Sequence, residues 1–175
     1  MKLIVFFPAI YLGIMLSTTV QATDNVHFSG ALVAEPCKLS ESDMDIKLDF
    51  GSVIEKSLYQ YHRTQSKPFT IHLEDCDPTM MSTVSVTFEG TPDDELTTML
   101  ALAPTSSAKG VAVGLETADG KMLSINKPSP YIDIEEGLNT LTFNAYLMAQ
   151  PTRLNNNSLV GGDFTAISTF IMSYQ

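Results

Sequence analysis

Two cysteines, Cys37 and Cys76, and three histidines, His27, His62 and His72, are the side chains best suited to redox, nucleophilic or metal chemistry in this 175-residue chain. No histidine has a second ligand at metal-binding spacing. His72 falls on the polar parity of an alternating stretch, which reads as a solvated face. The two cysteines have no CxxC spacing. In an exported protein an even count reads as one disulfide closing a loop of roughly forty residues. Metal binding or a nucleophilic thiol is the alternative use of the pair. Acidic clusters at Asp93-Asp94-Glu95 and Asp133 to Glu136 lack the glycine and oxygen-ligand order of a calcium loop, so they read as solvated turns. Paired carboxylates for glycoside chemistry depend on a separation in space that spacing along the chain does not give. Asn156-Asn157-Ser158 matches a glycosylation sequon, a short and common pattern. GxSxG, HExxH and a phosphate-cradling glycine loop are absent. The residues give no enzyme signal.

The elements that would carry these residues begin with an apolar run. Lys2 is followed by Leu3 to Leu16 with almost nothing polar, then by Val20-Gln21-Ala22. This is the pattern of a secretory signal peptide cut after Ala22. The run is short, and its flanks are wrong, for a membrane span. Export to an oxidising compartment fits the disulfide reading. The remaining 153 residues suit one domain with a core. The formal charge of −10 becomes −11 when Lys2 is lost. An acidic chain with scattered bases and no Trp is a poor partner for nucleic acid.

Period-two patterns dominate the rest. Val26, Phe28, Gly30 and Leu32 alternate with polar or small residues within Thr23 to Val33. Met44, Ile46, Leu48 and Phe50 alternate with Asp45, Lys47 and Asp49, which predicts a half-buried strand stopped by Gly51. Residues 52–66 read as a long connection. Strands are predicted at Lys67 to Cys76, Thr83 to Phe88, Val111 to Glu116 and Leu138 to Met148, with a hairpin turn at Ala118 to Lys121. Asp94 to Ala103 reads as a short helix or an irregular edge, and Arg153 to Gly161 as a loop. In Gly162 to Gln175, Phe164, Ala166, Phe170, Met172 and Tyr174 share one parity, while Ile167 and Ile171 sit on the other. Apolar groups on both faces point to a core strand, or to one whose pairing partner comes from another chain. Seven or eight short strands and no convincing amphipathic helix predict an all-β sandwich.

These residues resemble the pilin subunits of bacterial fimbriae assembled by the chaperone–usher route. The resemblance spans the chain after the signal. It is carried by Phe28-Ser29-Gly30 ahead of Cys37, Phe69-x-Ile71-x-Leu73-x-x-Cys76, Phe143-x-Ala145-Tyr146, and an alternating end in which Gly162 is fourteenth from the last residue and Tyr174 penultimate. Its closest likeness is to minor or adaptor subunits of P-type pili.

The resemblance implies an incomplete immunoglobulin-like β-sandwich that lacks its final strand and is completed by a donor strand from another chain. Residues 1–22 would be the signal, 23–33 the donor-strand extension and 34–175 the pilin domain. Val26, Phe28, Gly30 and Leu32 would enter a neighbour's groove, with Gly30 allowing close backbone approach. Gly162, Phe170, Met172, Tyr174 and Gln175 would form the acceptor groove and the chaperone contact. The expected partners are a periplasmic chaperone, an outer-membrane usher and neighbouring pilins. The protein would pass through the periplasm to the fimbrium on the cell surface and contribute to adhesion. No cofactor or metal is implied. The length leaves no room for a separate lectin domain, and the Met and charged content favours a minor or adaptor-like role. A secreted carbohydrate- or protein-binding sandwich, using Tyr59, Tyr61 and Tyr131, is the alternative.

Overall fold

The structure, a computed structural model, describes Ser29 and residues 35–175. The expected signal peptide and the arm residues Val26, Phe28, Gly30 and Leu32 lie outside the described residues.

Alternation builds the long strands. β1 (Lys38–Leu39) leads into β2 (Lys67–Cys76), which buries Ile71 and Leu73 on one parity. β3 (Thr83–Glu89) buries Val84, Val86 and Phe88. β4 (Val111–Thr117) and β5 (Met122–Leu123) form a hairpin around Gly120, whose φ of 82° suits the turn. β6 (Ile132–Asp133) precedes β7 (Gly137–Ala149), and β8 (Thr169–Tyr174) closes the order. One sheet runs β1-β2-β7-β4-β5 and the other β6-β3-β8, with antiparallel pairing throughout. Their apolar faces meet in one core. Phe88 of the smaller sheet packs edge-on against Phe69 and Phe143 of the larger, at centroid distances of 5.8 and 5.0 Å. Among the described residues, three of the four sheet edges are two-residue strands, β1, β5 and β6. β8 is the fourth.

Cys37 and Cys76 form a disulfide that ties the start of β1 to the end of β2. On the chain-entropy view such a loop is worth about 3–4 kcal/mol. The β2–β7 register slips between Leu73 and Cys76, where Asp75 takes a left-handed φ of 50°.

Several expectations change. The predicted strand at 45–50 keeps its alternation in burial, with Ile46, Leu48 and Phe50 half-buried, but these residues join neither sheet. Met44 is 71% exposed, because it lies in a turn before that alternation starts. Two short helices stand where connections were expected: α1 (Glu55–Tyr61) and α2 (Pro151–Asn155). α1 spans two turns and buries only Leu58, too little to write a helical period into the sequence. α2 starts at Pro151, which needs no amide partner in a first turn. β4 is buried on both faces. Its outer face is covered by Met99, Leu96 and Tyr146, and Gly114 leaves the space that the Tyr146 ring occupies. Arg63 lies 3.5 Å from that ring centroid and pairs with buried Glu116 at 2.7 Å. Asp94 to Ala103 is irregular, held by a Leu100–Val113 bridge.

His72 is not simply solvated. Its backbone N–H donates to the buried Asp43 carboxylate, and its Nδ1 lies 2.8 Å from the same oxygen. Burial disfavours the charged carboxylate, but the His72 backbone and ring and the Ser42 hydroxyl outweigh it, holding Asp43 below its ordinary value. A depressed folded value means the stabilisation is present above the unfolded value, about pH 4, and is lost as pH falls through the folded one. Asp43→Asn should therefore melt below the native chain at pH 7, and melts repeated down to about pH 3 should show the gap narrowing.

Candidate functional site

The two sheets do not close against each other along β8. An open groove of about 1280 Å³ runs there, between two extended walls. Its floor is the sandwich core itself: Phe69, Phe88, Leu115, Ala145 and Leu147 line it.

The first wall is β8 with the residues before it. Thr83 and Gln175 exchange both backbone hydrogen bonds, each at 3.0 Å. Hydrogen-bonded pairs alternate along an antiparallel ladder, so Ser173, Ile171 and Thr169 also face β3. The N–H and C=O groups of Phe170, Met172 and Tyr174 therefore point to the open edge. Upstream, residues 103–108 take over from β3. The Asp163 carbonyl accepts from the Ser107 and Ala108 amides at 2.9 and 3.1 Å, and the Thr165 carbonyl accepts from Ala103 at 2.7 Å. The Ser107 and Ser106 hydroxyls accept from the Asp163 and Thr165 amides at 2.9 and 3.0 Å. Phe164 and Ala166 thus turn their backbone groups the other way, toward the groove. From Phe164 to Tyr174 the edge is eleven residues long, roughly 36 Å at a strand's rise. The side chains of Phe164, Ala166, Phe170, Met172 and Tyr174 are half-buried, and the opposite parity is exposed. Ile167 and Ile171 are 79% and 44% exposed. Among the described residues the last strand is therefore an edge, not an interior strand, despite apolar residues on both faces.

The second wall is residues 46–53. Ile46, Leu48, Phe50 and Val53 line the groove and pack on the core. Among the described residues this wall makes no β-bridge. Lys67 Nζ donates to the Asp49 carbonyl at 2.9 Å, and the Gly51 amide to the Asp49 carboxylate at 2.7 Å. Ahead of it, the Ser40 amide donates to the His72 carbonyl at 3.0 Å, so the Asp43–His72 contact clamps the point where the chain leaves the larger sheet.

Of the five residues expected at the acceptor, three line this groove and Tyr174 and Gln175 lie at its end. Phe170, Met172 and Gly162 line the groove. Gly162 has φ 150°, and a Cβ there would lie 2.5 Å from Ser107 Oγ, so glycine is required where the wall begins. Tyr174 shares the parity of Phe170 and Met172, and its hydroxyl donates to Met172 Sδ at 3.6 Å. Burial, with the Glu35 charge, raises the Tyr174 phenol above its usual value. Gln175 is exposed, and its backbone is engaged by Ser82 and Thr83 of the β3 end. The second wall and the floor were not assigned to the site from sequence. The alternation at 45–50 marked the wall, but alternation does not say whether a strand has a partner. Of the tyrosines weighed as a ligand patch, Tyr59 accepts the Leu159 amide at 3.0 Å, while Tyr61 and Tyr131 are exposed. Among the described residues no group of three or more acidic, histidine or cysteine side chains is placed to hold a metal ion.

A sandwich of two antiparallel sheets with an apolar core, open along one long edge, defines an immunoglobulin-like subunit that lacks its final strand. The sequence profile of the fimbrial protein family matches residues 26–175. The chain belongs to that family: it is a structural fimbrial subunit of the chaperone–usher pilin type and not an enzyme. It is 32% identical to the Major MR/P fimbria protein of Proteus mirabilis (strain HI4320), over 95% of this chain and 97% of that one. It is 26% identical to the putative minor fimbrial subunit PmfF of the same organism, over 100% of both. The crystal structure of the P pilus rod subunit PapA has the same fold, with a TM-score of 0.68 over 81% of this chain and 100% of that one at 22% identity. A fimbrial subunit works at the cell surface, within the fibre.

Proposed function

We propose that the groove is completed by a strand from another chain. During export a periplasmic chaperone lends that strand, contacting Phe170, Met172, Tyr174 and Gln175, and the complex is delivered to an outer-membrane usher. In the fibre the arm of the neighbouring subunit, residues 23–33, replaces it by donor-strand exchange. The observation that carries this reading is the edge from Phe164 to Tyr174, unpaired among the described residues, which exposes backbone donors and acceptors above an apolar floor. Such an edge invites β-augmentation. The arm and the edge each span eleven residues, and Val26, Phe28 and Leu32 alternate as a strand over an apolar floor requires. The methionine content, seven after residue 22, and the charged residues favour a minor or adaptor-like subunit that contributes to adhesion through its place in the fibre. The relatives include both a major and a putative minor subunit, which leaves this finer role resting on composition.

Hydrogen exchange resolved by residue tests the uptake. In the isolated chain the amides of Phe164, Ala166, Phe170 and Met172 should exchange fast, while those of Ile171 and Ser173 are protected by β3. A synthetic peptide of residues 23–33 should slow the first set by at least tenfold and leave the second unchanged. No change in the first set at saturating peptide would overturn the reading.

A further inference from the structure

One aromatic pair joins the two walls across the groove. The rings of Phe50 and Phe164 lie 6.0 Å apart, inclined at 45°, and both are half-buried. We propose that this pair is a gate that sets how fast a strand enters, an inference that rests on the strand-uptake reading above. A strand laid along the edge from Phe164 to Tyr174 must pass between these walls, so the rings have to part first.

The two sides of the pair are held unequally. Phe164 is flanked by Asp163 and Thr165, both hydrogen-bonded through N–H and C=O to residues 103–108. Gly162, which admits no side chain, fixes the turn before them. Phe50 stands on a wall without a ladder partner among the described residues, between the Asp49 carbonyl that Lys67 holds and Gly51 at φ 64°. The moving half of the gate is therefore Phe50 with residues 46–53, and Phe164 is the fixed post. The ring contact bars the path of an entering strand until one of adequate apolar character displaces it. Phe50 and Phe164 thus discriminate between strands by rate, in addition to the affinity set by the floor.

The test follows binding of a fluorescent synthetic peptide of residues 23–33 to the exported chain by anisotropy, in dilute protein. Native chain, Phe50→Ala, Phe164→Ala and the double variant are compared. The association rate should rise about tenfold in each single variant, and the double variant should be no faster than the faster single, because removing either ring opens the pair. Dissociation should also quicken, since a ring that packs on the bound strand is gone. Unchanged association rates, or effects that multiply in the double variant, would overturn the gate while leaving strand uptake intact. Should an alanine variant fail to fold, Phe50→Leu and Phe164→Leu keep the apolar wall without the ring contact and carry the same comparison. Absence of peptide binding by every folded chain, the native one included, would remove strand uptake and the gate together.

Discussion

Residues 34–175 followed by residues 23–33 through a short flexible linker should melt about 20 °C or more above residues 34–175 alone, and should stay monomeric. For a chain of this size each 1 kcal/mol moves Tm by about 2–4 °C, so the shift corresponds to roughly 5–10 kcal/mol. The terms available exceed that before ordering costs. Val26, Phe28 and Leu32 contribute about 1.5–3 kcal/mol each when buried. Each ladder bond made on the open edge adds about 1 kcal/mol net. On the acceptor side, Phe50, Phe164, Phe170 and Met172 are half-buried and gain cover as well. The linker can be short because β8 ends beside the groove, so the added strand needs only to turn back along it. Thermal melts with light scattering check both parts. Two equal melting temperatures, both from stable monomers, would mean that the sandwich needs no added strand.

The second large effect separates the two faces of β8. Met172→Lys should abolish uptake of the 23–33 peptide, weakening it by at least a hundredfold. Met172 faces the groove, and a strand laid over it would bury an unpaired ammonium, a cost of several kcal/mol. Ile171→Lys, one residue away, should bind the peptide as the native chain does, since Ile171 faces outward and is 44% exposed. Titration of both variants against the labelled peptide reads the difference. Equal loss in both would indicate general damage to β8 instead of a blocked groove.

The long strands were legible because their burial is one-sided. Phe69-x-Ile71-x-Leu73 and Val84-x-Val86-x-Phe88 state the core face directly. The all-β class and the cystine followed from such patterns and from two cysteines in an exported chain. Pairing was harder to read. Residues 46–50 and 67–73 alternate alike, yet one stretch is a ladder strand and the other an unpartnered wall. That difference depends on which chain segment arrives beside each, a long-range fact. Phe170, Met172 and Gly162 reached the site through their family positions. Phe50 and Phe164 did not, because a contact between residues so far apart in sequence leaves no periodic trace. The helices were missed for want of length, and the His72–Asp43 contact because parity describes a face and says nothing of a neighbour from another element.

If a donor strand completes the groove as proposed, the two-residue strands at the other three edges of the described sandwich set the valence of the molecule. β1, β5 and β6 offer too little backbone to template a further strand, whereas the β8 wall offers eleven residues. A building block with one long receptive edge accepts one neighbour there. Repeated head to tail, such a contact gives an unbranched, polar line, whose number of growing points stays constant as mass is added. A second long edge would have turned the same sandwich into a seed for sheets or tangles. The short outer strands are thus a restriction on dimensionality, and a substitution that lengthens one of them threatens the shape of the assembly before it threatens the stability of the subunit.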